Sequence, residues 1–214
     1  MLIIGHRGAA GLAPENTLES FQAGVDAGAD ALEFDVRLTS DKKPILSHGP
    51  RQHGVFIRRT TLKNLQKRGP VTTLESVLDA FWGKVLLNPQ LKPVSSVKPV
   101  YNLLKNHVKK PADWDNVILS SFHVRDLAKL RRMDSDINLA LLHSVNPFSF
   151  VAYQRKLKLS AVGWHRLHVN RLAVEIAHKS GILSFVYTIN RPAAAKILEN
   201  RGIDGIVTDY PDKF

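Results

Sequence analysis

The strongest constraint on the fold of this chain is a recurrence of short apolar runs with helix-length amphipathic segments between them. The runs occupy residues 2–4, 31–38, 85–91, 117–120, 137–142, 159–163, 183–188 and 205–207. Short, continuously apolar runs suit strands covered by helices on one side and by a packed interior on the other. Between them, apolar residues return at helical spacing, as in Leu18, Phe21 and Val25, or Leu74, Val77, Leu78 and Phe81. Pro14 with Asn16-Thr17 opens the first helix, Gly28 ends it, and Thr73 caps the next. Further helices are expected over 96–109, 123–133, 147–156 and 170–180, and from Pro192 to a point before Gly202. This alternation predicts a compact (β/α)8 barrel of the TIM type, with most of its last helix missing. An open doubly wound sheet is the alternative, but no Gly-x-Gly-x-x-Gly or Walker motif follows any run. The 214 residues are expected to form a single domain, with a further extended piece at 44–47 and a basic, irregular insertion over 49–70.

In such a barrel, functional groups belong at the C-terminal ends of the strands. His6-Arg7 follows the first strand, and Glu33 and Asp35 lie late in the second. Two residues apart on a strand, both carboxylates point to one face. His48 ends the extension at 44–47, Asn88, Gln90 and Lys92 share one face of the third strand, and Asn190 follows the seventh. His143 and His165 follow the fifth and sixth and would face the same mouth. Acid, base and cation in one neighbourhood suit phosphate-ester chemistry with a divalent metal. Plainer roles compete at some positions: Glu33 and Asp35 could form a salt bridge to Arg7, and Gln90 could be a polar residue of the barrel interior.

The formal charge of +11 invites nucleic acid as a partner. The cations are dispersed as pairs, however, with few interleaved aromatics and no zinc-finger or RNA-binding signature, which argues against nucleic acid. The charge reads as solvated surface with some pull on phosphate-bearing ligands. There is no cysteine, so disulfides and thiolate metal sites are excluded. The apolar start is too short for a signal peptide, and no run reaches the ~20 apolar residues of a spanning helix, so a cytoplasmic location is expected.

With these residues in place, the chain resembles the glycerophosphodiester phosphodiesterase family, barrels of the phosphatidylinositol-phospholipase-C-like type. The likeness rests on His6-Arg7-Gly8, Pro14-Glu15-Asn16-Thr17, Gly28-Ala29-Asp30, Glu33-x-Asp35-Val36 and His48. It continues through Thr73-Leu74-Glu75, Ser121-Phe122, Tyr187-Thr188-Ile189-Asn190 and 205–211, in the family's order over nearly the whole chain. The resemblance implies metal-dependent hydrolysis of glycerophosphodiesters to glycerol 3-phosphate and an alcohol. By position, His6 and His48 would be the general acid–base pair, and Arg7 and Lys92 would bind the phosphate. Glu33, Asp35 and Gln90 would hold a divalent cation, Mg2+ or Ca2+. Phe122 and Tyr187 would form a substrate wall, with Glu15 and Asn190 supporting the site from behind.

Three positions depart from the family pattern. Gln90 stands where a metal-binding Glu is usual, Gly49 where an Asp follows the second His, and Tyr187 where a Trp is usual. A Gln carbonyl still suits a hard cation but removes one negative charge, so weaker metal binding is expected. Two alternatives follow: a catalytically weakened or silent phosphodiester-binding barrel, and a phosphodiesterase directed at lysophospholipids. The second would use transient contact with an anionic membrane, for which Val55-Phe56-Ile57 is the sequence hint. The expected partner is the small-molecule glycerophosphodiester itself; the oligomeric state is not encoded in any recognisable way.

Overall fold

The computed structural model describes residues 1–93, 97–143 and 145–214. Strand β1 (Leu2–Gly5) leads to helix α1 (Leu18–Asp26), β2 (Ala31–Leu38) and a short β3 (Pro44–Leu46). The insertion follows as a hairpin, β4 (Arg51–Gln52) and β5 (Val55–Phe56), and a short helix α2 (Leu62–Gln66). Helices and strands then alternate: α3 (Leu74–Phe81), β6 (Leu86–Leu91), α4 (Lys98–His107), β7 (Ile118–Ser121), α5 (Val124–Met133) and β8 (Asn138–His143). The series ends with α6 (Gln154–Leu157), β9 (Ala161–His165), α7 (Arg171–Lys179), β10 (Leu183–Tyr187), α8 (Pro192–Asn200) and β11 (Gly205–Thr208).

β1, β2 and β6 to β11 are mutually parallel, and β1 pairs with both β2 and β11, so the eight strands close into a barrel. β3 adds to β2 antiparallel, with Val36 opposite Leu46, which carries the chain back toward the mouth at Ser47 and His48. The register of β2 on β6 sets Glu33 beside Asn88 and Asp35 beside Gln90. Pro89 has no N–H to give to a ladder. β6 and β7 pair only through Gln90 and Ser120 and an isolated bridge from Leu87 to Val117 among the described residues, and the Asn88 side-chain amide adds a bond to Ile118 O at 2.7 Å.

Alternation along the strands divides the apolar residues into two layers. Leu32, Phe34, Val36 and Leu38 of β2 point outward and pack with Phe21, Leu74, Val77, Leu78 and Phe81 of the helices in the main core. The Phe34 ring lies 5.1 Å from Phe21, which in turn lies 5.7 Å from Phe81. Ile4, Ala31, Ala140, Leu142, Ala161, Phe185 and Val207 fill the barrel interior as a smaller cluster. Above Ala31 the inward positions of β2 turn polar, at Glu33, Asp35 and Arg37. The apolar plug thus lies toward the N-terminal ends of the strands, and polar groups occupy the other end.

Several expectations are corrected. Leu18 is exposed, and α1 instead buries Ser20, Phe21 and Gly24. A Cβ at Gly24 would come within 2.7 Å of Leu32, so the small residues allow the close approach that sets the helix's rotation. The stretch over 49–70 is ordered: Ile57 and Leu65 pack on Ile45 as a small core of their own, joined by Val55. The expected helix over 147–156 is a 3-10 turn, Ser149–Ala152, followed by the single turn α6. The sixth barrel strand starts at Ala161 because Lys158 takes a left-handed conformation (φ 45°) that closes α6. The expected start of the fourth helix at residue 96 lies outside the described residues; the helix runs from Lys98. β11 is followed by a short 3-10 turn, Pro211–Lys213. No helix among the described residues is long and apolar enough to cross a membrane.

Phe34 is fully buried against Phe21. Phe34→Ala should therefore cost about 3–5 kcal/mol, read as a drop in the urea midpoint with unchanged slope.

Candidate active site

The β1–α1 loop makes the first side of the site. Arg7 (φ 51°), Gly8 (φ 90°) and Asn16 (φ 60°) all take left-handed backbone conformations. At Gly8 a Cβ would meet Ser20 Oγ at 2.4 Å and Phe21 Cδ1 at 2.7 Å, so only glycine fits. The two non-glycine positions are held by surrounding bonds. Arg7 N–H donates to Glu33 Oε2 at 3.1 Å, Asn16 N–H to Arg7 O at 3.0 Å, and Gly8 N–H to Glu33 O at 3.1 Å. The loop is thereby tied to β2 and aims the His6 and Arg7 side chains into the mouth.

Glu33 and Asp35 are both buried on the inward face of β2, yet their surroundings differ. Asp35 accepts from Lys92 Nζ at 2.7 Å and Asn16 Nδ2 at 3.1 Å, its own N–H donates to Asn16 Oδ1 at 3.0 Å, and Arg7 Nε lies 3.3 Å away as an ion pair without hydrogen-bond geometry. Burial favours its neutral form, but Lys92, Asn16 and Arg7 outweigh that and hold its carboxyl below the usual range. Glu33 has one ion pair among the described residues, to His6 Nε2 at 4.0 Å. Burial and the neighbouring Asp35 charge push it up to about 7. Lys92 also donates to Gln90 Oε1, and Arg7 Nη1 donates to Glu15.

His6 is fixed from its other nitrogen. Nδ1 lies 2.5 Å from Asp209 Oδ1, and Asn190 orients that carboxylate: Asn190 Nδ2 donates to Asp209 Oδ2 at 2.6 Å, and Asn190 Oδ1 accepts from Asp209 N–H at 2.9 Å and Thr208 Oγ1 at 3.0 Å. Burial lowers the His6 pKa, but Asp209 and Glu33 together raise it above the ordinary value. The same contact with His6 is the main reason Asp209 is held low. His48 is different: it is exposed at the rim, and no hydrogen bond orients its ring among the described residues. Partial burial and the Arg7 charge lower its pKa, so it is neutral near pH 7.

Opposite these groups, Tyr187 and Phe122 meet edge to face with ring centroids 6.1 Å apart, and His165 stands 5.9 Å from Tyr187. Tyr187 O–H donates to His143 O at 2.8 Å. His165 ends β9 on the inward face and reaches the mouth as expected, whereas His143 at the end of β8 continues the outward-facing series of Leu139 and Leu141, so only its carbonyl meets the wall and the expectation for its ring is corrected. Gln90 and Tyr187 help line a small cavity with His6, Glu33 and Asn88. His6, Arg7, Glu15, Glu33, Asp35, Gln90, Lys92 and Asn190 therefore come together, with Phe122 and Tyr187 as the facing wall and His48 at the edge. Two participants were not assigned from sequence. Asp209 lies 203 positions from His6 and meets it only because β11 closes on β1. Asn16 could have been suspected from its place beside Glu15 in the loop.

For a hard cation the donor set has the right chemistry: two carboxylates and one amide oxygen, with Glu33 a buried anion short of positive charge. Asp35 and Gln90 already accept from Lys92, and no group of three His, Cys, Asp or Glu side chains forms a metal cage among the described residues.

The fold and site define a (β/α)8 barrel with paired carboxylates, cations and an anchored histidine gathered at its C-terminal mouth. The chain belongs to the glycerophosphoryl diester phosphodiesterase family, whose model matches residues 6–213. It is 32% identical over 232 residues to YhdW of Bacillus subtilis (strain 168), covering 99% of this chain and 96% of that one. It is 27% identical over 235 residues to a glycerophosphodiester phosphodiesterase of Caldanaerobacter subterraneus, covering 99% and 95%. Among solved structures, it superposes on the glycerophosphodiester phosphodiesterase of Thermotoga maritima with a TM-score of 0.83 at 28% identity, covering 100% of this chain and 96% of that one. An Oleispira antarctica phosphodiesterase in complex with the product sn-glycerol-3-phosphate gives 0.85 at 24% identity, covering 100% and 94%.

The His6–Asp209 pair has a defined pH signature. With His6 raised, its contribution is complete below about 6.5 and is lost as pH rises through the folded value. With Asp209 lowered, its contribution is complete above about 3.8 and is lost as pH falls through the folded value. Asp209→Asn should thus destabilise by about 1–2 kcal/mol near pH 5.5 and by less near pH 9, measured by thermal unfolding. The His6 ring should then titrate lower by NMR, because burial is left less opposed.

Proposed function

We propose that this chain is a metal-dependent phosphodiesterase that hydrolyses glycerophosphodiesters to glycerol 3-phosphate and an alcohol, the whole chain acting as one domain. The observation that carries this is the split pair on β2: Asp35 ion-paired to Lys92 and Arg7, and Glu33 buried beside a histidine that Asp209 holds in orientation. Carboxyls raised by burial beside a like charge, as Glu33 is, cluster at functional sites.

In this reading Arg7 and Lys92 bind the phosphate oxygens and offset charge as it develops on them. A divalent cation, Mg2+ or Ca2+, held by Glu33, Asp35 and Gln90 would supply Lewis-acid polarisation of the phosphoryl group. His6, oriented by Asp209, and His48 at the rim share the two proton transfers: one takes a proton from the attacking water as its oxygen bonds to phosphorus, and the other gives a proton to the alcohol oxygen as its bond to phosphorus breaks. Asn190 keeps Asp209 aligned, and Glu15 restrains the Arg7 guanidinium. Phe122 and Tyr187 form an apolar wall for the glycerol or the alcohol.

The lysophospholipid alternative loses its sequence support. Ile57 is buried in the core of the insertion, and Phe56 is covered by the Arg51 and Arg59 guanidinium groups at 4.1 and 5.4 Å. The weakened-barrel alternative keeps one observation in its favour, the neutral Gln90 bonded to Lys92.

Release of glycerol 3-phosphate from glycerophosphocholine should require added Mg2+ or Ca2+ and stop with EDTA. His6→Ala and Glu33→Ala should each lower kcat by about 10^2–10^4-fold. Gln90→Glu should lower the metal concentration needed for half-maximal rate. Turnover that survives both EDTA and His6→Ala would overturn this assignment.

A further inference from the structure

Beside the catalytic mouth lies a cleft of about 500 Å3 that the assignments above do not use. It is lined by Arg37, Thr39, Lys42, Pro50, Arg58 and Arg59, with Pro93 and two apolar residues completing the wall. Arg37 continues the inward face of β2 one step beyond Asp35, so it joins the cleft directly to the carboxylate pair. Its guanidinium donates to His48 O at 2.7 and 3.2 Å and to Ser47 O at 3.2 Å, bonds to neutral carbonyls, and it forms no carboxylate ion pair among the described residues. Pro50 follows His48 by two residues and Pro93 follows Lys92 by one, so cleft and mouth share a wall. Arg58 and Arg59 are exposed and form no carboxylate ion pair among the described residues. The nearby Asp41 is occupied by Thr39 Oγ1 at 2.6 Å and Leu62 N–H at 3.1 Å.

We propose that this cleft binds a second anionic group, a phosphate carried on the alcohol half of the substrate, and so directs the enzyme toward glycerophosphodiesters whose leaving alcohol is itself phosphorylated. This rests on the phosphodiesterase assignment and specifies its substrate class. The cations converge in a concavity next to His48, the histidine assigned to the mouth's edge. A flat membrane-binding face would instead present apolar anchors, and the one aromatic residue in the hairpin, Phe56, is shielded by guanidinium groups. Several arginines facing one small volume suit the bidentate recognition of phosphate.

The test compares glycerophosphoinositol with glycerophosphoinositol 4-phosphate, which differ by one phosphate on the alcohol. The phosphorylated compound should show kcat/KM at least about tenfold higher, mostly through KM, as expected for added ground-state binding. An Arg58→Gln, Arg59→Gln double variant should bring the ratio between the two substrates close to one. Arg58→Gln alone, at an exposed side chain, should retain the fold and lower the ratio partway. Equal kcat/KM for the two substrates in the wild type would overturn the proposal while leaving the phosphodiesterase assignment intact. If the wild type turned over neither, that assignment would fail, and calorimetric titration of glycerophosphoinositol 4-phosphate would still decide this one. Binding weakened at least about tenfold in the double variant supports the cleft, and unchanged binding overturns it. Arginine-dependent sedimentation with phosphatidylglycerol vesicles, without any preference between the two substrates, would assign the cleft to a membrane and overturn the proposal as well.

Discussion

Two carboxylates two residues apart on one buried strand face repel each other, and much of the surrounding polar structure follows from how that repulsion is relieved. The protein separates their environments. Asp35 is given the lysine that follows β6, and an arginine and the amide of Asn16 from the β1–α1 loop. Glu33 is given one backbone amide and a histidine at 4.0 Å, and its affinity for protons rises accordingly. One carboxylate is thus fixed as an anion, while the other remains responsive to whatever positive charge enters. Relief of this kind needs groups from two segments far apart in the chain, which gives the β1–α1 loop a reason for its left-handed residues. Without those turns, Arg7 and Asn16 could not both reach β2.

Barrel closure has the same dependence. Asp209 can anchor His6 only if β11 pairs with β1, and the register that pairs Gly5 with Thr208 brings the two ends of the chain to the same height. The interior apolar cluster lies below this level and the helices cover the outer faces of the strands. Stability therefore comes chiefly from surfaces that do not touch the site, and the mouth is free to carry buried charge at a local cost.

Period and position explain what could be read in advance. Glu33, Asp35, Gln90 and Lys92 were placed correctly because strand alternation is local, and the barrel followed from the count of strand–helix units. Arg37 obeys the same alternation and was overlooked because it falls outside the resemblance that drew attention to its neighbours. Asp209 was beyond local rules altogether, since its partner is at the other end of the chain. In the insertion, the run Val55-Phe56-Ile57 looks like an exposed apolar tip, but a small tertiary core and two guanidinium groups claim it. The face of α1 was misjudged for a packing reason: periodicity marks apolar residues, whereas the helix docks through Ser20 and Gly24, whose small size allows close approach.

The neutral residue at position 90 has a consequence for the mouth as a whole. Lys92 bridges Gln90 and Asp35, so of its two bonded partners only Asp35 carries a charge. Arg7 divides its contacts between Glu15 and Asp35, and Arg37 contributes a charge bonded only to carbonyls. A glutamate at 90 would have drawn Lys92 away from incoming anions and strengthened the hold on a cation. With glutamine, the balance shifts toward phosphate: the same lysine is less fully neutralised, and the cationic side of the mouth runs on through Arg37 into the basic cleft. In the proposed mechanism, weaker metal retention and stronger attraction for anionic substrates would thus be two results of a single uncharged side chain.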